Sequence, residues 1–133
     1  MATLTTTQIG RRSTQRTGST DRAPSSPPAP QRGEIWLARM DKLRPIVILT
    51  RNPMGRILHS VIVVPVSTRI RGLSVEAEIG PEDGIDFDSA ANLDNLQVIH
   101  RTRLVRRLGH ARPSTMQAIC RALAIATGCD REQ

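Results

Sequence analysis

Two stretches of the chain join an apolar run to side chains able to hold an anion. In the first, Leu43-Arg44-Pro45 leads into Ile46-Val47-Ile48-Leu49; in the second, Val61-Ile62-Val63-Val64 ends at Pro65-Val66-Ser67-Thr68. Arginine presents a rigid, permanently charged fork of N–H donors matched to phosphate oxygens. Charge-assisted hydrogen bonds of that kind are about twice as strong as neutral ones. A hydroxyl beside it adds a second donor. Together they suit stabilisation of negative charge building on a reacting phosphorus. That chemistry requires Arg44 to meet the Ser67/Thr68 pair, so the two apolar runs are expected to be adjacent strands.

The elements that must position them follow in order. Residues 35–38 predict a first strand and Asp41-Lys42-Leu43 a turn. Pro45 biases Arg44 toward extended backbone. The run 46–49 is apolar without alternation, which predicts a strand covered on both faces. Asn52-Pro53 and Gly55 mark a loop over 51–56. Residues 61–64 predict the next core strand. Pro65 cannot donate to a ladder, so a break is expected there that releases Ser67 and Thr68 from the sheet. Arg69, Arg71 and Gly72 continue as a basic, flexible stretch. Residues 75–79 alternate apolar and acidic, as a half-exposed strand does, and 80–84 form a loop. Strand-like pieces at 89–93 and 96–99 flank Asp94-Asn95, 101–104 read as one helical turn, and 105–108 as a last strand before Gly109. Ser114-Thr115-Met116-Gln117 fits a capping box. The helix it opens has Met116, Ile119, Cys120 and Leu123 as its apolar stripe and Gly128 as its stop. The predicted fold is mainly β with a C-terminal α-helix, a small barrel closed by that helix.

A chain of 133 residues fits one domain with a modest core, which a homodimer would supplement. The net charge of +7 points to an anionic partner such as nucleic acid. It is unevenly spread: residues 1–32 carry five Arg against one Asp, and the remainder fourteen Lys and Arg against eleven Asp and Glu. Residues 1–30 are rich in Ser, Thr, Arg and Pro and are expected to be a disordered tail, with a domain over 31–129 and a short tail at 130–133. The start lacks the apolar stretch of a secretory signal, and no run approaches the roughly 18 apolar residues of a membrane span. Cys120 and Cys129 form no metal-type cluster with His59, His100 or His110. They read as reduced thiols of a cytoplasmic protein, and neither metal nor cofactor is expected. Trp36 and Phe87 are the only aromatics; their scarcity argues against domains that stack bases on aromatic rings.

At this point the chain resembles the MazF/PemK family of toxin endoribonucleases. The stretches that carry the resemblance are Arg32-Gly33-Glu34-Ile35-Trp36-Leu37, Leu43-Arg44-Pro45 with residues 46–49, residues 61–68, Asp88-Ser89-Ala90-Ala91-Asn92-Leu93-Asp94, and residues 104–109 leading into the last helix. They run in the family's order over roughly residues 31–128. The resemblance implies an SH3-like barrel acting as a homodimer. It also implies metal-independent, sequence-specific cleavage of single-stranded RNA, and a cognate antitoxin whose disordered, often acidic segment lies over the RNA groove. The family's arginine before proline falls on Arg44. Its catalytic hydroxyl falls on Ser67 with Thr68 adjacent, and the offset from the preceding strand favours Ser67. The loop between the first two strands is shorter here than in many relatives.

RNA carries its own nucleophile, the 2′-OH, so alignment and charge stabilisation can supply most of the rate. Arg44 is assigned first to the charge on the phosphorane and second to proton donation to the leaving 5′-oxygen. Ser67 would bond a non-bridging oxygen or place the 2′-OH. Expected products are a 2′,3′-cyclic phosphate (or 3′-phosphate) and a 5′-OH. Arg69 and Arg71 are the choices for phosphate contacts; Asn92, Asp94, Asn95 and Gln97 read base edges or cap turns. His59 reads as an exposed bystander and Trp36 as core. Rival readings are a same-fold toxin that poisons DNA gyrase and a non-catalytic SH3-like interaction module. For Arg44 itself the plain alternative is a turn arginine paired with Asp41 or Glu34.

Overall fold

The computed structural model describes residues 28–131. The tail expected over 1–30 lies outside the described residues as far as residue 27, as do residues 132–133 of the tail expected at the other end. Pro30, assigned to the first tail, is buried. Seven strands, β1 (Glu34–Arg39), β2 (Leu43–Ile48), β3 (Ser60–Ser67), β4 (Glu76–Ile79), β5 (Ser89–Asn92), β6 (Gln97–His100) and β7 (Leu104–His110), precede one helix, α1 (Pro113–Thr127). All pairings are antiparallel, in the order β4-β5-β3-β2-β1-β7, and β6 adds to β3 off that path. The mainly β fold with a C-terminal helix is therefore as expected. No helix among the described residues is long and apolar enough to cross a membrane.

Successive side chains of a strand point to opposite faces, and β2 uses both. Ile46 and Ile48 pack with Ala38, Val61, Val63, Ile99 and Leu104, against which Trp36 also lies. Val47 and Leu49 face a larger core with Ile35, Val64, Val66, Ile79, Leu93 and Ile119. The unbroken apolar run is thus covered on both sides, as its lack of alternation requires. In β4, Ala77 and Ile79 are buried while Glu78 is exposed, which matches the alternating pattern.

Three expectations are corrected. Strand β3 does not break at Pro65 but continues to Ser67, which pairs with Ala90. What changes at Pro65 is the partner. Residues Ser60 to Val63 pair with β6, and Val66 and Ser67 with β5. The proline, with no N–H to give, sits where one ladder has ended and the next has not begun. Strand β7 likewise runs through Gly109 to His110. Gly109 is needed there because a Cβ would lie 2.5 Å from the Asp83 carbonyl oxygen.

The helix start is the third correction. Arg112 is the N-cap and Pro113 the first helical residue; no local side chain caps the helix, so Ser114 does not. Asp83, 1% exposed, does so from a distant loop. Its Oδ1 accepts from the Arg112 backbone N–H at 2.8 Å, the Thr115 hydroxyl at 2.9 Å and Arg112 Nε at 3.2 Å. Its Oδ2 accepts from the Gly80 N–H at 3.2 Å. Burial alone would push this carboxyl up, but the backbone donors of Arg112 and Gly80, with the two side chains, outweigh it and hold the pKa below the usual range. Thr115, so bonded, lies on the buried face of α1. Thr115, Ile119 and Ala122 are inside, while Cys120, expected in the stripe, is exposed. Cys120 and Cys129 are both free thiols. Gly128 ends the helix at φ +76°, as expected, with the Cys129 N–H donating to the Ala124 carbonyl at 2.8 Å.

Candidate active-site cleft

The short hairpin between β1 and β2 places Arg44 inside β2, opposite Ala38. On its other side β2 pairs with β3 through Ile46 and Pro65. That pairing ends at Ile46 and Pro65, with Arg44 two residues before it in β2 and Ser67 two residues after it in β3. The two side chains line one cleft of about 540 Å³. Arg69, Arg71, Asn92, Asn95 and Gln97 share its walls, together with Met40, Asp41, Pro65, Glu76, Ala90 and Leu96.

Two predicted residues are not brought there. Because β3 continues as a strand to Ser67, Pro65 and Ser67 line the cleft while Val66 points the other way, and Thr68 falls in the bend just past the strand. Thr68 lines a separate cavity with Leu37, Pro45, Val66 and Phe87. Asp94 lines neither cavity; its backbone N–H donates to Asn92 Oδ1 at 2.9 Å. Asn92 therefore caps a turn and lines the cleft at once. His59 is exposed and stacks on His100, with ring centroids 6.1 Å apart, away from the cleft. The indole of Trp36 packs on the core and donates to Glu34 at 3.0 Å.

Within the cleft, Arg44 donates from Nε to Asp41 Oδ1 at 2.8 Å and from Nη2 to Asp41 Oδ2 at 3.1 Å. The hydrogen bond from Arg44 holds the Asp41 carboxyl at about 2, and the same bond pushes the guanidinium pKa up. Ser67 Oγ accepts the Arg69 N–H at 3.1 Å, and its own O–H remains available to donate. Glu76 accepts the backbone N–H groups of Arg71 and Leu73, both at 3.1 Å. It thereby fixes the chain that carries Arg71. Sequence reading took Glu76 as the acidic side of a half-exposed strand; a carboxylate that binds backbone N–H groups has no residue-type signal. In the sequence Asp41 is one of two candidate partners for Arg44, with Glu34 the other, and not a wall of the cleft.

An antiparallel sheet followed by a terminal helix, with an arginine of β2 and a serine of β3 lining one cleft, defines a class. The family model of PemK-like, MazF-like toxins of type II toxin–antitoxin systems matches residues 31–127, and the chain belongs to that family. Among individual relatives, the chain is 40% identical over 105 residues to a probable endoribonuclease MazF5 of Mycobacterium tuberculosis, covering 77% of this chain and 96% of that one. Among solved structures it is similar to Mycobacterium tuberculosis toxin MazF-mt6, with a TM-score of 0.69, 33% identity, and coverage of 75% of this chain and 99% of that one. A mycobacterial endoribonuclease in complex with its cognate antitoxin gives a TM-score of 0.69 at 30% identity, covering 75% of this chain and 96% of that one.

Proposed function

We propose that the protein is the toxin of a toxin–antitoxin pair and cuts single-stranded RNA within the Arg44–Ser67 cleft, without metal. The observation that carries this reading is that Arg44 and Ser67 line one cleft while further arginines and amides extend it. The RNA 2′-oxygen attacks its own phosphorus and the bond to the 5′-oxygen breaks, leaving a 2′,3′-cyclic phosphate and a 5′-OH. Arg44 offsets the negative charge on the phosphorane. A guanidinium stays protonated in proteins, so its role is electrostatic, and protons exchange through water in the open cleft. The Ser67 O–H donates to a non-bridging oxygen. Arg69 and Arg71 bind flanking phosphates, and Asn92, Asn95 and Gln97 meet base edges. The same basic cleft suits an acidic antitoxin segment. A second copy has a surface in the cross-strand pair of Ile62 and Val98, which are 41% and 68% exposed. A cytoplasmic RNA target accords with reduced thiols.

The test is incubation of purified protein with a long single-stranded RNA in EDTA. Discrete fragments with 5′-OH ends are expected from the wild type, and Arg44→Ala is expected to slow their formation by about 10²–10³-fold. Intact RNA, or equal cleavage by Arg44→Ala, would overturn the reading.

A further inference from the structure

A guanidinium has two edges for bidentate hydrogen bonding: a side edge of Nε and Nη2, and an end edge of Nη1 and Nη2. Asp41 takes both positions of the Arg44 side edge. Among the described residues Nη1 makes no hydrogen bond, so the end edge is unclaimed. Asp41 sits in the tight connection where the Met40 N–H bonds the Lys42 carbonyl at 2.8 Å. It is fixed there three residues before Arg44. Its side chain is 70% exposed and that of Arg44 31%. A pair so exposed contributes little to folding, so its geometry, rather than its strength, is what the cleft can use.

We propose that Asp41 is a positioning residue of the cleavage site: its carboxylate holds the side edge of Arg44 and reserves the end edge for the scissile phosphate. This rests on the assignment of Arg44 to the phosphorane. An arginine already oriented loses less freedom when the phosphate arrives, and a misplaced catalytic group costs rate rather than affinity. The alternative is that Asp41 competes with phosphate for Arg44, which has the opposite sign. Removing a competitor tightens RNA binding and leaves turnover intact.

Single-turnover and steady-state cleavage of an RNA that the wild type cuts separates the two. The proteins compared are wild type, Asp41→Ala, Asp41→Glu, Arg44→Ala and the Asp41→Ala/Arg44→Ala double variant. Asp41→Ala is expected to lower kcat by about 10–30-fold with KM within about threefold. Asp41→Glu should recover part of the loss, and in the Arg44→Ala background the Asp41 change should cost nothing further. In 15N-edited NMR spectra the Arg44 Nε–H signal should be sharp in the wild type and exchange-broadened in Asp41→Ala, with backbone signals unchanged elsewhere. Undiminished kcat in Asp41→Ala, with or without tighter RNA binding, would overturn the proposal, as would an equal loss in the Arg44→Ala background. If Arg44→Ala fails while Asp41→Ala cleaves normally, only the role of Asp41 falls. If Arg44→Ala cleaves normally, the catalytic assignment falls with it.

Discussion

Ser67 and Thr68 are adjacent hydroxyls that line separate cavities, Ser67 as the last residue of β3 and Thr68 in the bend just after it, and replacing each with alanine tests which cavity does the chemistry. Ser67 lines the cleft with Arg44, whereas Thr68 lies in a separate cavity beside Phe87. A hydrogen bond to a charged group contributes roughly 1.5–3 kcal/mol. At about 1.4 kcal/mol per decade, Ser67→Ala should lower kcat on the order of 10–150-fold. The lower half of that range is the better expectation, because Ser67 is exposed to water that can substitute for it. Thr68→Ala removes no group from the cleft and should leave kcat within about threefold, the scatter expected of a surface substitution. Part of any Ser67→Ala effect comes from freeing the Arg69 N–H, which bonds the hydroxyl at 3.1 Å. Ser67→Thr controls for that: it keeps the hydroxyl in a strand that tolerates β-branching, and it should retain most activity. The assay is cleavage of a fluorescent single-stranded RNA, with circular dichroism to establish folding. A larger loss in Thr68→Ala than in Ser67→Ala would refute the cleft assignment.

Two further outcomes follow from carboxylates that bind backbone. Asp83→Ala strips partners from the Arg112 N–H, Gly80 N–H and Thr115 hydroxyl and should destabilise the fold by roughly 2–4 kcal/mol in urea denaturation. Because the folded pKa of Asp83 is depressed, its contribution is complete above its unfolded pKa of about 3.9 and fades as pH falls through the folded value. Asp83→Asn should therefore flatten the acid limb of the stability curve, and an unchanged limb would refute the assignment. Glu76→Ala releases the backbone of Arg71 and Leu73; it should raise KM for RNA by about three- to tenfold at near-constant kcat, since it disturbs a binding arginine and not the reacting phosphate.

How far the sequence carries the fold depends on the range of the interaction. The apolar run 46–49 declares its strand because every residue of it is buried whichever strand lies beside it, and in the run 61–64 Val61, Val63 and Val64 are buried while Ile62 is not. Arg44 and Ser67 were found from the ends of those runs for the same reason. The helix cap could not be found so. Its carboxylate lies 29 residues before Arg112 and 32 before Thr115, and the local Ser114-x-x-Gln117 pattern gave a plausible wrong answer. With Thr115, Ile119 and Ala122 on the buried face of the helix, Cys120 faces solvent. Pro65 is the most instructive case. Its missing N–H requires a gap in one ladder, and the sequence reading placed that gap at the end of the strand. In the fold the gap falls between two partners of a continuous strand. Continuity holds Ser67 in the strand, paired with Ala90, and leaves Thr68 in the bend after it. A chain released at Pro65 would have left both hydroxyls free to turn toward Arg44. A chain held on β5 can offer only one.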